Sequence, residues 1–169
     1  MTLAPSAFAD TGLPTLNQVT EVTLARPYSC NSVSYEASAL FLSAHSKSMN
    51  APDLLYNGAC RSNDYVQANT AGDDFGLIAD IGDVPLESVS ASKAFNWKWV
   101  VGQDNIFKQN QDIKPQHTYA VLVSKSDIRA LYVFKVISQT QDGPMTIRYS
   151  VKSYSIQTTT SASPGFKWE

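Results

Sequence analysis

Three consecutive segments in the C-terminal third of the chain have the apolar patterns of β-strands. Thr118 to Ser124 (TYAVLVS) and Ala130 to Ile137 (ALYVFKVI) are apolar on both faces, as central strands are, and the five residues KSDIR connect them. In Met145 to Ile156 (MTIRYSVKSYSI), which follows an Asp-Gly turn pair, apolar and polar residues alternate as in a half-exposed strand. These segments predict an antiparallel meander.

The rest of the chain adds strands more readily than helices. Val19 to Leu24 and Leu77 to Ile81 have strand character, and Pro85 could open one helical turn within Asp83 to Val89. Tyr35 to Ser46 fits a helix or a strand, and its serines favour the strand. We therefore predict a mainly β protein with at most one or two short helices: an antiparallel β-sandwich or, alternatively, a small β-barrel.

The domain organisation follows from length and from the polar ends of the chain. A chain of 169 residues with 43% hydrophobic residues can bury one sizeable core. We predict a flexible N-terminal tail over residues 1–17, a single β domain over residues 18–157 and a polar C-terminal tail over residues 158–169.

Two features favour a secreted or periplasmic location. AFAD at residues 7–10 has the small-x-small form of a signal-peptidase site, although the basic and apolar regions of a signal peptide are missing and an ordinary tail is the alternative. Cys30 and Cys60 are the only cysteines, and their separation matches no metal-binding pattern. We predict one disulfide between them, with two buried free thiols in a cytosolic protein as the alternative.

Charge and hydropathy argue against two classes of partner. Thirteen basic and fifteen acidic residues give a net charge of -2, with no block of Lys or Arg to contact a phosphate backbone, so we expect no nucleic-acid partner. No apolar run approaches the roughly eighteen residues that a membrane helix needs, so we expect no membrane span. The sequence does not define an oligomeric state.

The segment FNWKWVV holds two of the three tryptophans. In a strand, Trp97 and Trp99 lie on one face and Lys98 on the other, and burial in the core is the favoured interpretation. The alternative is a stacking platform for sugar rings, with Lys98 and Asn105 of the following amide-rich loop as further ligand-binding residues.

Five carboxylates within fifteen residues form a second candidate site: Asp73, Asp74, Asp80, Asp83 and Glu87. The favoured interpretation is that they hydrogen-bond the backbone of turns around Gly82, which requires no cofactor. A calcium site formed by the four aspartates is the alternative, because hard cations bind oxygen ligands on flexible loops, but the spacing does not match an EF-hand loop. A glycosidase pair of carboxylates is the third interpretation.

The sequence contains no G-x-S-x-G motif of a serine hydrolase, and its only histidines, His45 and His117, fit ordinary turn or surface positions. We predict a non-enzymatic secreted module that binds a carbohydrate or another extracellular partner. One alternative is a small secreted hydrolase that uses the aspartate cluster with His117. Another is a structural or assembly subunit in which the strand over residues 145–156 pairs with a neighbour's edge.

Overall fold

Antiparallel strands dominate the computed structural model. It describes residues 13–27, 37–58, 63–68, 75–91, 94, 107–125 and 127–156. In chain order the elements are β1 (Val19–Leu24), β2 (Ala39–Leu40), α1 (Ala44–Ser48), β3 (Leu54–Asn57), β4 (Tyr65–Gln67), β5 (Phe75–Asp80), a 3-10 helix (Leu86–Ser88), β6 (Asn110–Asp112), β7 (Thr118–Ser124), β8 (Ile128–Gln139) and β9 (Met145–Ile156).

The strands form two sheets. The larger has the order β1-β9-β8-β7-β5 and the smaller the order β2-β3-β4-β6. Their edges meet at two points: Ile78 of β5 bridges Lys108, and the Ala25 N–H donates to the Ala37 carbonyl at 2.8 Å. Neither ladder continues across these contacts in the described ranges, so they do not form a closed barrel. The predicted antiparallel β-sandwich is confirmed.

The meander predicted at the C-terminal end is present. β7 and β9 have the predicted bounds, and β8 begins two residues before the predicted Ala130, so three residues rather than five connect β7 to β8. Both β7 and β8 have a strand on each side. β9 is also flanked, by β1 and β8, so among the described strands the outermost one at this side of the sheet is β1 and not the strand over residues 145–156.

A β-bulge changes which face of β9 points inward. Tyr132 pairs with Val151, but Leu131 pairs with Ser153, so Lys152 is the extra residue. Up to Val151 the odd-numbered residues contact the core, as the alternation predicts, whereas beyond the bulge Tyr154 packs against it. The simple two-residue period therefore fails for the last part of this strand.

The ambiguous segment over residues 35–46 contains both kinds of structure. Ala39–Leu40 is a short strand, and α1 begins at Ala44 with Ser43 as its N-cap. The Ser46 N–H donates to Ser43 Oγ at 3.0 Å, and the Ser43 N–H donates to Ser46 Oγ at 3.3 Å. This reciprocal capping favours a helix start in a serine-rich segment for which we predicted a strand.

Two cores explain why β7 and β8 are apolar on both faces. The main core lies between the sheets, and its largest fully buried side chains include those of Tyr119, Tyr132 and Phe134. The second core covers the other face of β5, β7 and β8, where the segment after β5 packs with Ile81, Leu86, Val89 and Ala94. The 3-10 helix of that segment follows Pro85, as predicted. Within the described ranges, no helix has the length and apolar character needed to cross a membrane.

Candidate functional site

Most of the residues predicted from the sequence to form a site lie outside the described residues. The eight are Trp97, Lys98, Trp99, Asn105, Asp73, Asp74, Cys30 and Cys60. The aromatic platform, the disulfide and half of the calcium site therefore stay predictions. Asp80, Asp83, Glu87 and both histidines are described.

Asp80 and Asp83 have different surroundings. Asp80 ends β5 with a side chain that is only 2% exposed, and its Oδ1 accepts a hydrogen bond from the Gly82 N–H at 2.9 Å, which is the predicted backbone contact. The Asp83 side chain is 71% exposed, and its Oδ1 lies 3.1 Å from Lys135 Nζ. Across the described part of the chain, no group of three or more metal-ligating side chains is assembled.

Asp80 also binds His117, one of the two histidines considered for catalysis. His117 Nδ1 lies 2.8 Å from Oδ1 and 3.1 Å from Oδ2 of Asp80. Because a carboxylate only accepts hydrogen bonds, Nδ1 carries the proton in this contact and Nε2 is the remaining ring nitrogen. The His117 side chain is 29% exposed. A buried carboxylate that orients a partly exposed imidazole is the arrangement of a general base.

A tight turn before β7 positions this imidazole. The His117 N–H donates to the Lys114 carbonyl at 3.1 Å, with Pro115 and Gln116 between them. Gln116 has a φ of 69°, in the left-handed region that costs a residue other than glycine about 1 kcal/mol. Two hydrogen bonds hold it there, from its N–H to the Val136 carbonyl at 2.9 Å and from its side chain to the Ile137 carbonyl at 2.8 Å.

A polar cavity of about 320 Å³ lies at the end of β6, where Asp112 and Ile113 line it. Ile113, which lines the cavity, is next to Lys114, whose Nζ is 3.5 Å from Asp80 Oδ2. Apart from that isoleucine, the lining consists of carboxylates and amides: Asn63, Asp64, Asp112, Gln139, Gln141 and Asp142. Three carboxylates and three amides offer many acceptors, and the amides also supply donors.

Asp64 is the most firmly held residue of the cavity wall. Its side chain is 6% exposed and accepts hydrogen bonds from Arg26 Nε at 2.7 Å, from Gln139 Nε2 at 2.8 Å and from the Asp142 N–H at 3.2 Å. The hydrogen bond to Asp64 raises the pKa of Arg26. Arg26 Nη2 also lies 3.3 Å from Asp142 Oδ1, so a single guanidinium joins two of the carboxylates.

A glycine makes this arrangement of Arg26 and Asp64 possible. A Cβ atom at Gly58 would lie 1.8 Å from Asp64 Oδ1 and 3.0 Å from Arg26 Nε. Any larger residue would displace the ion pair, because such a separation is far below van der Waals contact. Gly58 directly follows β3, so the end of that strand fits against the cavity wall.

The other histidine lies at the opposite end of β8. His45 of α1 contacts the carboxylate of Asp127 through Nε2, and the two side chains are 34% and 31% exposed. Unlike Asp80, Asp127 is not buried and sits in the connection between β7 and β8. The molecule therefore contains two histidine–aspartate pairs, of which only His117 is oriented by a buried carboxylate.

Sequence reasoning missed the cavity because its residues share no local pattern. Arg26 and Asp64 are 38 positions apart, and the lining comes from three separate segments. The one usable signal was the Asp-Gly pair at residues 142–143, which predicted the turn at one side of the cavity.

Comparison of the chain with protein-family models, with curated proteins and with solved structures found no match. A function for this protein is therefore inferred from its fold and from the geometry of its polar sites.

Proposed function

We propose that this protein is a secreted, non-enzymatic module that binds a carbohydrate through the polar cavity beside Asp64. The observation that carries the proposal is the lining of the cavity, in which carboxylates and amides stand around a space of about 320 Å³. Sugar hydroxyls both donate and accept hydrogen bonds, and a mixture of carboxylate acceptors and amide donors suits them. The volume lies at the low end of the range for small-molecule sites, which suits one ring of a glycan.

Pre-organisation supports the same function. Asp64 and Gln139 are already fixed by hydrogen bonds before any ligand enters. A wall that is ordered in advance loses less conformational entropy on binding, so more of the interaction energy contributes to affinity. Asp112 and Gln141 complete the wall as the groups with which we expect the ligand to exchange hydrogen bonds.

Trp97 and Trp99 have a place in this proposal as a second contact surface. Stacking on an indole and hydrogen bonding in a polar cavity are complementary ways to hold a sugar. The secreted location rests on the sequence around residues 7–10 and on the predicted pairing of Cys30 with Cys60.

The test is a titration of the protein with a glycan library, followed by calorimetry on the glycans that bind. Asp112→Asn removes a charged acceptor from the cavity, and Asp83→Asn is the matched control, because Asp83 is exposed and does not line the cavity. We expect Asp112→Asn to weaken binding about 10-fold or more, since a hydrogen bond to a charged group contributes roughly 1.5 to 3 kcal/mol. Equal affinities of the two variants would show that the cavity is not the binding site. If none of the glycans bound, the carbohydrate ligand itself would be ruled out.

A second function, hydrolysis, is favoured by the His117–Asp80 pair. The hydrogen bonds of the His117 side chain go to Asp80, so a hydrolytic mechanism would need the imidazole to activate a water or a nucleophile from outside this pair. The binding function ranks first because the cavity already presents carboxylates and amides to a space of about 320 Å³.

His117→Ala and His45→Ala form a matched pair of variants for this alternative. Assays with chromogenic esters and glycosides should show activity in the native protein and in His45→Ala but not in His117→Ala if hydrolysis is the function. Absence of turnover in the native protein, together with glycan binding that is unchanged in both variants, would eliminate hydrolysis and leave binding.

A further inference from the structure

A lysine and an aspartate from opposite sheets meet in the interior, far from the proposed cavity. Lys125 follows β7 of the larger sheet, and Asp53 precedes β3 of the smaller sheet, 72 positions away. Lys125 Nζ lies 2.8 Å from Asp53 Oδ1, and the two side chains are 3% and 0% exposed. Bulk water therefore does not reach the contact.

The neighbours of Lys125 fix the direction of its amine. Nζ donates to the carbonyl of Ala51 at 2.6 Å and to the carbonyl of Pro52 at 3.0 Å. These two acceptors occupy two of the three positions on nitrogen that the side-chain carbon leaves free. The third position, which holds a proton in the ammonium form and a lone pair in the amine form, points to Asp53.

The neighbours of Asp53 fix its carboxyl group. Oδ2 accepts a hydrogen bond from the Leu42 N–H at 2.7 Å, while Oδ1 contacts the lysine. The Tyr132 hydroxyl donates to the backbone carbonyl of Asp53 at 2.8 Å, which anchors the residue to β8. Leu42 and Leu54, both fully buried, add apolar surroundings.

From this geometry we propose that Lys125 and Asp53 become joined by an intramolecular amide bond. Transfer of one proton from Nζ to Oδ1 leaves an uncharged amine 2.8 Å from Oδ1 of the carboxylic acid. Nζ then attacks Cγ, and the negative charge that develops on Oδ2 is stabilised by the Leu42 N–H, which is already in place as an oxyanion donor.

The reaction balances without an oxidant, a reductant or a co-reactant. The bond between Cγ and Oδ1 breaks as the bond between Nζ and Cγ forms. Oδ1 leaves as water, with the proton it received and one further proton from Nζ, and the last proton of Nζ stays on the amide. The buried surroundings then protect the product, because hydrolysis would need water to return to the site.

Intact-mass spectrometry of the full-length protein under reducing conditions tests the proposal directly. The expected mass is about 18 Da, one water, below that calculated from the sequence. Peptide mapping is needed as well, because succinimide formation at Asp142 would also release water. Trypsin does not cleave after an acylated lysine, so the expected product is a branched peptide of residues 48–61 joined to residues 109–129.

Recovery of residues 48–61 as a free peptide, with cleavage after Lys125 and no branched product after prolonged incubation of the folded protein, would overturn the proposal. Any fraction of the branched peptide supports it. Lys125→Arg and Asp53→Ala are the matched variants, and both should show the full calculated mass. The measurement on the native protein decides the matter even if a variant does not fold. It is also independent of glycan binding.

Discussion

The two ends of the sandwich each contain an aspartate that accepts several hydrogen bonds, and the two aspartates differ in depth and in the partner that they contact. Asp53 is 0% exposed and contacts Lys125, whose side chain is 3% exposed. Asp64 is 6% exposed and contacts Arg26, whose side chain is 22% exposed, and it lines a space of about 320 Å³. Similar chemistry has therefore been placed in two different environments.

The two ends differ in what their polar contacts can do: those at one end contribute to stability, and those at the other can bind a ligand. At the closed end, around Asp53, the partners are backbone carbonyls and a lysine that solvent does not reach, so the contacts join the two sheets. At the open end, around Asp64, the amides and carboxylates face a space that a ligand can enter. Four types of substitution, with decreasing expected effects, test this division.

The largest effect is expected from Lys125→Ala at the closed end. Removing the lysine leaves the Asp53 carboxylate buried without its charged partner, which costs about 3 to 5 kcal/mol of unfolding free energy. Urea denaturation followed by circular dichroism measures the loss. Arg26→Ala at the open end should cost less, about 1 to 3 kcal/mol, because the site is closer to solvent and Asp64 keeps other donors.

The double variant Asp53→Leu with Lys125→Met is the control for this comparison. It replaces both polar groups by apolar side chains and should be more stable than Lys125→Ala, because no buried charge remains unpaired. If Lys125→Ala and Arg26→Ala were equally destabilising, burial would not distinguish the two ends.

The second effect concerns the fit of Gly58 against the open end. Gly58→Ala would place a methyl group 1.8 Å from Asp64 Oδ1 and should cost about 1 to 3 kcal/mol, since the ion pair with Arg26 must move. Glycan affinity should fall with stability, because the same movement disturbs the cavity wall. Gly143→Ala, whose methyl group would lie 3.0 Å from Thr140 Cβ, is the milder matched substitution. A larger loss in Gly143→Ala than in Gly58→Ala would contradict this account.

The strands that carry both ends could be predicted because their signals are local. The apolar periods of β7, β8 and β9 depend only on neighbours in the sequence, and the side chains of such strands must face a core. The period failed at Lys152, because a bulge is set by pairing with β8 rather than by β9 itself. It failed again before α1, where Ser46 takes the place of the Glu or Gln of the usual capping signature.

The polar clusters could not be predicted because they depend on long-range register. Lys125 and Asp53 are 72 positions apart, and nothing around either residue indicates the other. His117 and Asp80 are 37 positions apart, and both were candidates, but their contact follows from the antiparallel pairing of β5 with β7. Composition and spacing can therefore indicate which residues carry chemistry, whereas strand pairing decides which of them meet.

A third, smaller effect should appear at alkaline pH. Burial raises the pKa of Tyr154 to about 12, while its hydroxyl is hydrogen-bonded to Ser43 Oγ at 2.5 Å. A phenol with a raised pKa in the folded state stabilises the protein below pH 10, and this contribution is lost as the pH rises from about 10 through 12. Between pH 9 and pH 11, the Tyr154→Phe variant should therefore lose less unfolding free energy than the native protein does. The difference should be about 1 kcal/mol or less, because the group is partly exposed.

Urea denaturation at the two pH values, with tyrosinate absorbance recorded in parallel, measures this contribution. Tyr56→Phe at the open end is the comparison, because burial also raises the pKa of Tyr56. Tyr56→Phe removes hydroxyl hydrogen bonds with Asp64, Gly143 and Gln139, whereas Tyr154→Phe removes the one with Ser43. The change with pH, rather than the stability at neutral pH, is therefore the quantity to compare. An unchanged pH dependence in Tyr154→Phe would show that this tyrosine does not contribute to alkaline unfolding.

The smallest effect is expected where an ion pair has no buried partner. Arg148 Nε lies 3.1 Å from Glu21 Oε1 across β9 and β1, and the two side chains are 51% and 53% exposed. A double-mutant cycle with Glu21→Ala and Arg148→Ala should give a coupling of about 0.2 to 1 kcal/mol, which weakens in about 1 M salt as solvent ions screen the charges. A coupling as large as the loss in Lys125→Ala would show that charge alone sets the energy. The expected smaller coupling means instead that two ion pairs with similar separations, near 3 Å, contribute differently to the free energy of unfolding when one is buried and the other is exposed.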